Sequence, residues 1–473
     1  MKSSRLRLVL HSVIVGAALL ALTQQAAWAV PSYARQTGMA CSTCHTVFPE
    51  LTPFGREFKL NGYVLDNMKQ IKGITVERTE TMSLNTIPPL SLMAQISYNH
   101  TSQAVPDTGN AAVHAQAGEV DFPQQVSFFY AGKIADGLGA FIQLTYDGVG
   151  DHFGLDNTDI RYAHHLSLDS AQDRDLIVGL TLNNNPTVQD PWNSTPAWGY
   201  PFAGSAIAPG PVTTQVDTGG IGQNAAGLGA YAWWDHSIYA ELSLYTGAKT
   251  GGAHPLDSSQ APLVHGLAPY WRLAYEKRWD QNSWSVGTFG LRAGIHPAGF
   301  VPGTSTPTSP GTPLDLNGPT DRYTDFGLDS QYQYISDDHL VSAFGTYIHE
   351  KQSLDASFAN GISANSSDTL NTAKMAVQYY YKRKIGGSLG FFNVTGSTDA
   401  GLYAAAPVSG SASNDPGSRG YVFEADYLPF LNVKLSLQYV LYSKFNGGSS
   451  NYDGSGRNAS DNNTLYLLGW FNF

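Results

Sequence analysis

Val433-Lys434-Leu435-Ser436-Leu437-Gln438-Tyr439-Val440-Leu441-Tyr442 sets Val433, Leu435, Leu437, Tyr439 and Leu441 on one face of an extended strand. Lys434, Ser436, Gln438 and Tyr442 fall on the other, because successive strand side chains point to opposite faces. The pattern recurs. Ile238, Ala240, Leu242 and Leu244 alternate with Tyr239, Glu241, Ser243 and Tyr245, and Ala373, Met375, Val377 and Tyr379 with Lys374, Gln378, Tyr380 and Lys382. From Pro89 onward the chain divides into such segments of about ten residues, with one lipid-compatible face and one wet face. A soluble sandwich has the same alternation with its apolar face buried, so periodicity alone leaves both folds open.

Connection lengths and composition separate them. Short turns at Ala135–Gly139, Asp235-His236, Asp280–Asn282, Ser336–Asp338, Ile385-Gly386-Gly387 and Pro429–Asn432 alternate with long Gly/Ser/Pro/Asn-rich stretches. The long ones are Thr101–Asp121, Asn183–Asn224, Thr246–Gly266, Gly299–Thr320, Leu354–Ser367, Ala400–Gly417 and Asn446–Asp461. Short turns on one rim and long loops on the other are the outer-membrane pattern, with the short side periplasmic and the long loops extracellular. Charged residues make up 14% of the chain, against about 25% in an ordinary soluble domain, while aromatics reach 12%. No apolar run after the first thirty residues is long enough for a membrane helix. The expected fold is all-β: an antiparallel outer-membrane β-barrel of about 16 strands. The last strand, Leu465, Leu467, Gly469, Phe471 to Phe473, alternates to a terminal Phe.

The chain opens with Lys2, Arg5 and Arg7, then an apolar stretch from Leu8 to Leu22, then Ala27-Trp28-Ala29. This reads as a signal peptide over 1–29, too short for a comfortable membrane span. Its removal makes the formal charge three units more negative than −11. An acidic chain argues against nucleic acid and is compatible with cations.

The two cysteines of the chain stand in Cys41-Ser42-Thr43-Cys44-His45. Two thiols one turn apart can add to the two vinyl groups of one porphyrin, and the next imidazole can then ligate its iron. The motif therefore predicts one covalently attached haem c with His45 as proximal ligand. A Cys41-Cys44 disulfide is the simpler alternative, but it leaves His45 unexplained. Downstream, Thr52 caps a short helix with Pro53 at its first position, Phe54 and Phe58 share a face, and Gly62 suits the stop. Arg35, Arg56 and Lys59 are candidates to pair with the propionates, each also readable as a solvated cation. With no histidine between His45 and His100, the distal position is left to methionine or stays open. Met68, just beyond the helix, is the expected ligand, Met39 lying close to the attachment turn.

Ala34-Arg35-Gln36-Thr37-Gly38, Phe48-Pro49-Glu50-Leu51-Thr52-Pro53-Phe54-Gly55-Arg56 and Phe58-Lys59-Leu60-Asn61-Gly62-Tyr63 resemble the fused cytochrome-porin family. These are outer-membrane monohaem cytochromes c of iron-oxidising bacteria. The match is close over residues 30–63 and architectural beyond. The resemblance implies haem attachment at Cys41 and Cys44, ligation by His45, and a small α-helical cytochrome segment tucked into the barrel lumen. It also implies one-electron oxidation of extracellular Fe(II), the electron passing to a periplasmic c-type cytochrome or copper protein. The expected layout is a signal peptide (1–29), a cytochrome segment (30–75), a linker (76–88) and a barrel in outer-membrane lipid (89–473).

Two further expectations concern loops. Asp147, Asp151, His152, Asp156 and Asp159 form an oxygen-rich cluster with one imidazole, readable first as a solvated loop whose Asp, Asn and Gly serve turns and otherwise as a docking site for a borderline divalent ion. Asn183–Trp198, with Pro186, Trp192, Pro196 and Trp198, either folds into the lumen or caps the outside. The rival functional reading is a diffusion porin with a structural or sensory haem, in which inward Lys374, Lys382, Arg272, Glu276 and Arg278 tune selectivity. Electron export to an external acceptor is a third, since direction depends on the haem potential.

Overall fold

A computed structural model describes residues 31–74, 81–105, 115–148, 150–169, 174–217, 221–223, 225–247, 263–297 and 319–473. The expected signal peptide, part of the linker and parts of four long loops lie outside the described residues.

Sixteen strands close an antiparallel barrel. They are β1 (Leu90–Val105), β2 (Gln116–Ala135), β3 (Leu138–Asp147), β4 (His152–Asp169), β5 (Arg174–Asn183), β6 (Ala225–Trp234), β7 (Ile238–Gly247) and β8 (Ala268–Trp279). The second half comprises β9 (Asn282–His296), β10 (Asp321–Ile335), β11 (His339–Ser353), β12 (Ser367–Tyr381), β13 (Ile385–Gly396), β14 (Ser418–Phe430), β15 (Val433–Lys444) and β16 (Thr464–Asn472). Each pairs with its sequence neighbour, and β16 returns to β1 with Thr464 opposite Thr101 and Asn472 opposite Met93. A two-residue strand, Leu263–Val264, pairs with the end of β9 in the lane of β8 and adds no wall. Among the described residues closure leaves no unpaired barrel edge, which is what lets a sheet sit in lipid.

The alternation runs opposite to that of a water-soluble protein. On β7, Leu242 is 58% exposed and its neighbour Glu241 only 6%. On β15, Leu435, Leu437 and Tyr439 face outward, while Lys434, Ser436 and Gln438 are buried in the lumen. Aliphatic residues outside and ionisable ones inside make sense only where the exterior is hydrocarbon. The chain is therefore an outer-membrane, porin-type β-barrel, and the sandwich alternative falls. One turn departs from expectation: the β12–β13 reversal uses Lys382 and Arg383, both at φ 53. Gly386 and Gly387 lie within β13, where a Cβ would strike the Tyr380 ring and the Glu424 carbonyl.

Helices α1 (Pro31–Thr37), α2 (Cys41–Cys44) and α3 (Pro53–Leu60) precede the barrel, followed by a hairpin of Gln70–Ile74 and Thr81–Asn85. Thr52 caps α3 by accepting the Gly55 N–H at 3.1 Å, with Pro53 at the first position as expected. The segment lies inside the barrel and touches the wall on several sides. Phe48 packs edge-on against Trp470 of β16 at 5.2 Å, and Val47 joins Leu340, Tyr380 and Leu428. The Tyr231 hydroxyl of β6 donates to Leu60 O at 2.6 Å.

Candidate functional site

The Cys41–His45 turn is held from three directions. Thr52 N–H donates to Cys44 O at 2.9 Å, and the Thr52 hydroxyl donates to Thr43 O at 2.7 Å. Gly55 lies so close beneath that a Cβ would come within 2.1 Å of Cys44 O, so α3 packs on the Cys-x-x-Cys-His turn backbone to backbone. Cys41 and Cys44 are thiols rather than a disulfide, and burial pushes them up to about 12 and about 11.

Nδ1 of His45 lies 3.2 Å from Pro49 O and 3.2 Å from Glu50 O. Carbonyls only accept, so Nδ1 carries the proton and Nε2 keeps the lone pair. Burial holds the imidazolium down to about 4, leaving a neutral, ligand-competent ring. Both thiols and this ring open onto a cavity of about 550 Å³, within the range of roughly 300–1,000 Å³ typical of cofactor sites. Phe58 and Tyr63 from the segment, Phe129 and Phe141 from the barrel and Trp198 and Phe202 from the loop after β5 form much of its apolar wall.

That loop, Asn184–Asp217, folds into the lumen, which resolves the two readings left open by its sequence. Trp192 is fully buried against Trp233 and Tyr239, with ring separations of 5.8 and 5.6 Å, and donates its indole N–H to Glu276 at 2.6 Å. Farther along, Gln215 N–H donates to Glu350, and Asp217 pairs with Lys374 at 2.6 Å. The loop and the N-terminal segment meet where Asn193 accepts the Leu51 N–H at 3.1 Å.

The propionate candidates separate. Lys59 lines the cavity, donates to Val188 O and Asp190 O at 2.6 and 3.0 Å, and lies 4.9 Å above the Trp198 ring. Burial lowers its pKa to about 7. Arg56 turns away to pair with Glu276 at 2.8 Å, both side chains 1% exposed. Arg35 is exposed and donates to Leu90 O, outside the cavity walls. Phe54 is half-buried beside the cavity rather than in its lining.

Met68 is buried against Phe58 and Tyr63, and its sulfur accepts the Leu65 N–H at 3.3 Å. The cavity is lined instead by Met39 and by Met93 of β1. Sequence reasoning placed Met39 too near the attachment turn and had no signal for Met93 beyond its place in an alternating strand.

The five-residue cluster proposed for a substrate ion is corrected. Among the described residues no group of three or more His, Cys, Asp or Glu is arranged to hold a metal ion. Asp147 and His152 are opposed across the β3–β4 hairpin, Asp151 (φ 51) makes the turn and accepts the Tyr146 hydroxyl at 2.7 Å. Asp159 is buried in the lumen, bound by Arg161 at 2.6 Å, Tyr63 at 2.7 Å and Thr181 at 2.8 Å. Asp156 alone reaches the cavity wall, held by Thr145 at 2.9 Å. Spacing in a strand put these carboxylates at different heights and on different partners.

The barrel resembles solved outer-membrane proteins. Pseudomonas putida OprB is 11% identical with a TM-score of 0.45, covering 81% of this chain and 94% of its own. The channel DcaP of Acinetobacter baumannii is 10% identical with a TM-score of 0.43, covering 81% and 96%. The anion-selective porin from Comamonas acidovorans is 11% identical with a TM-score of 0.42, covering 81% and 98%. Neither a protein-family model nor a curated protein matches the chain. The likeness is one of barrel architecture and leaves the lumen contents to be read from their own chemistry.

Proposed function

We propose that this barrel is an outer-membrane electron conduit: a one-electron oxidoreductase that takes electrons from extracellular Fe(II) and delivers them to a periplasmic c-type cytochrome or copper protein. The observation that carries the reading is the convergence of two thiols and a neutral imidazole on one largely apolar cavity inside the lumen. These residues fit a haem c. Cys41 and Cys44 would hold it covalently, and His45 would present Nε2 to the iron with its tautomer fixed by Pro49 O and Glu50 O. When bound, the group supplies a one-electron iron couple.

The chain's own residues do the rest. Phe58, Phe129, Phe141, Trp198 and Phe202 exclude water, and burial of this kind is one lever on a haem potential. Lys59 sets a donor in the wall, able to meet a propionate. The segment and inward loop cross the lumen, so solute flow competes with packed chain.

A second reading keeps the barrel as a diffusion porin with a structural or sensory haem, and it rests on the barrel class itself. The inward charges it relies on are engaged: Arg272 with Asp329, Glu276 with Arg56 and Arg278, and Lys374 with Asp217. Lys382 sits at the short-turn rim near Asp338.

The deciding experiment is stopped-flow absorption on protein purified from outer membranes. After full reduction and reoxidation, anaerobic Fe(II) should restore the reduced haem bands rapidly, and C41A/C44A protein should lack those bands. A haem that dithionite reduces and Fe(II) does not, together with high conductance in planar bilayers, would establish the porin reading instead.

A further inference from the structure

The outer side of α3 meets the short-turn rim through a chain of ionisable groups. His236, in the turn after β6, has Nδ1 3.2 Å from Glu57 of α3 and Nε2 3.2 Å from Asp175 at the start of β5. His165 of β4 has Nδ1 3.4 Å from Asp175 and Nε2 2.6 Å from Asn61 Oδ1, one helical turn beyond Glu57. Arg278 of β8 pairs with Glu57 and, at 2.6 Å, with Glu276. Asp235 N–H donates to Asp175 O at 3.0 Å and fixes the turn.

A neutral imidazole has one N–H and one lone pair, so it can serve only one of two carboxylates. His236 lies between two. Its contacts are both attractive only when the ring is an imidazolium.

We propose that His236 and Asp175 form a proton-operated clasp that fastens α3, through Glu57, to the periplasmic rim. Its consequence for electron delivery rests on the proposed function, because α3 is the helix packed against the attachment turn. The clasp itself needs only this geometry. The groups facing His236 are Glu57, Asp175 and Arg278, with Glu276 behind Arg278. The neighbouring Glu57 carboxylate raises the His236 pKa from its ordinary 6.5. Burial works to raise Glu57, but His236 and Arg278 hold it at about 2, so it stays a carboxylate throughout. The clasp's contribution is therefore complete below about pH 6.5 and is lost as pH rises through the raised His236 value. Lys59, on the opposite side of the same helix, titrates with the opposite effect near 7. It is present in wild type and variant alike, so their difference isolates the clasp.

The test is hydrogen exchange of peptides covering residues 53–63 in the full chain in detergent, corrected for intrinsic rates, at pH 5.5 and 8.5. Wild type should be more protected than His236→Gln at pH 5.5, by about tenfold for each unit by which folding raises the His236 pKa. The two should converge at pH 8.5. Asp175→Asn, which removes the shared acceptor, should behave like His236→Gln and serves if that variant does not fold. Equal protection at pH 5.5, or an equal difference at both pH values, would overturn the clasp. Haem content and Fe(II) reduction measured on the same samples report separately on the proposed function, since the exchange difference is expected whether or not Fe(II) is the donor.

Discussion

Arg56→Met should unseat the N-terminal segment. Arg56 reaches from α3 to three consecutive strands: Glu276 of β8 at 2.8 Å, Ser283 of β9 at 3.1 Å, and Gln331 and Gln333 of β10 at 3.3 and 2.7 Å. A further bond goes back to Leu51 O at 3.1 Å. Removing one partner of a buried ion pair costs about 3–5 kcal/mol, because the other is left uncompensated. Here Glu276 keeps Arg278 at 2.6 Å, which favours the lower end. About 3 kcal/mol corresponds to a shift of roughly 150-fold toward the unseated segment at 1.4 kcal/mol per tenfold. Since Met preserves most of the side-chain volume, the effect isolates the guanidinium. The assay is single-channel conductance in planar bilayers, with protease susceptibility of residues 51–59 alongside. Open events in Arg56→Met should rise by about two orders of magnitude, and Arg56→Lys should fall between, because an ammonium cannot reproduce the fork. Conductance and protease resistance equal to wild type would refute the idea that this ion pair seats the segment.

Three other perturbations address the barrel, the Cys41–His45 turn and the inward loop. Leu437→Arg, on the outward face of β15, should cost about 2–4 kcal/mol near the bilayer midplane in equilibrium refolding into vesicles; an effect under about 0.5 kcal/mol, the size of an ordinary surface change, would argue against lipid contact there. Gly55→Ala puts a methyl 2.1 Å from Cys44 O and should destabilise α3 on the turn by about 1–3 kcal/mol, read as faster hydrogen exchange across residues 41–60. Trp192→Ala removes a fully buried ring and should cost about 3–5 kcal/mol of local stability, seen as faster hydrogen exchange across residues 184–217 with the barrel strands unchanged.

The sequence displays what is local and hides what depends on closure. Period-2 alternation in Val433–Tyr442 and its counterparts placed the strands, because facing is set residue by residue, and loop lengths supplied the sixteen-fold count. The α3 cap was legible for the same reason: Thr52 and Pro53 act within one turn. By contrast, Arg56 and Glu276 are far apart in sequence, and nothing in either neighbourhood says that barrel closure brings them to 2.8 Å. Met93 belongs to the cavity through the same closure. Met68 lies off the cavity lining, its sulfur accepting the Leu65 N–H three residues away. The aspartates from 147 to 159 were read as one cluster by proximity in sequence, yet Asp159 belongs to an inward pair with Arg161 while Asp151 belongs to a rim turn.

The same alternation that puts leucine against lipid explains why the lumen contains so much folded chain. It sends Arg161, Arg272, Glu276, Asp329 and Lys434 inward, and in a barrel of this width each must meet water or protein. Arg272 meets Asp329 in a two-pronged pair at 2.8 Å and also Asp190 of the inward loop at 3.2 Å. Asp190 in turn accepts the N–H groups of Trp192, Ser194 and Thr195 at 3.0, 3.2 and 3.0 Å, so the carboxylate that binds the wall also bends the loop. Pairs of this kind add little stability over well-packed apolar groups, but a misplaced one leaves a buried charge unmatched. They penalise the wrong seating more than they reward the right one. The apolar contacts, such as Phe48 on Trp470, tolerate some sliding; Arg56 and Asp190 do not. It follows that the orientation of the Cys41–His45 turn within the lumen is fixed less by its own short helices than by charges the barrel strands had to turn inward.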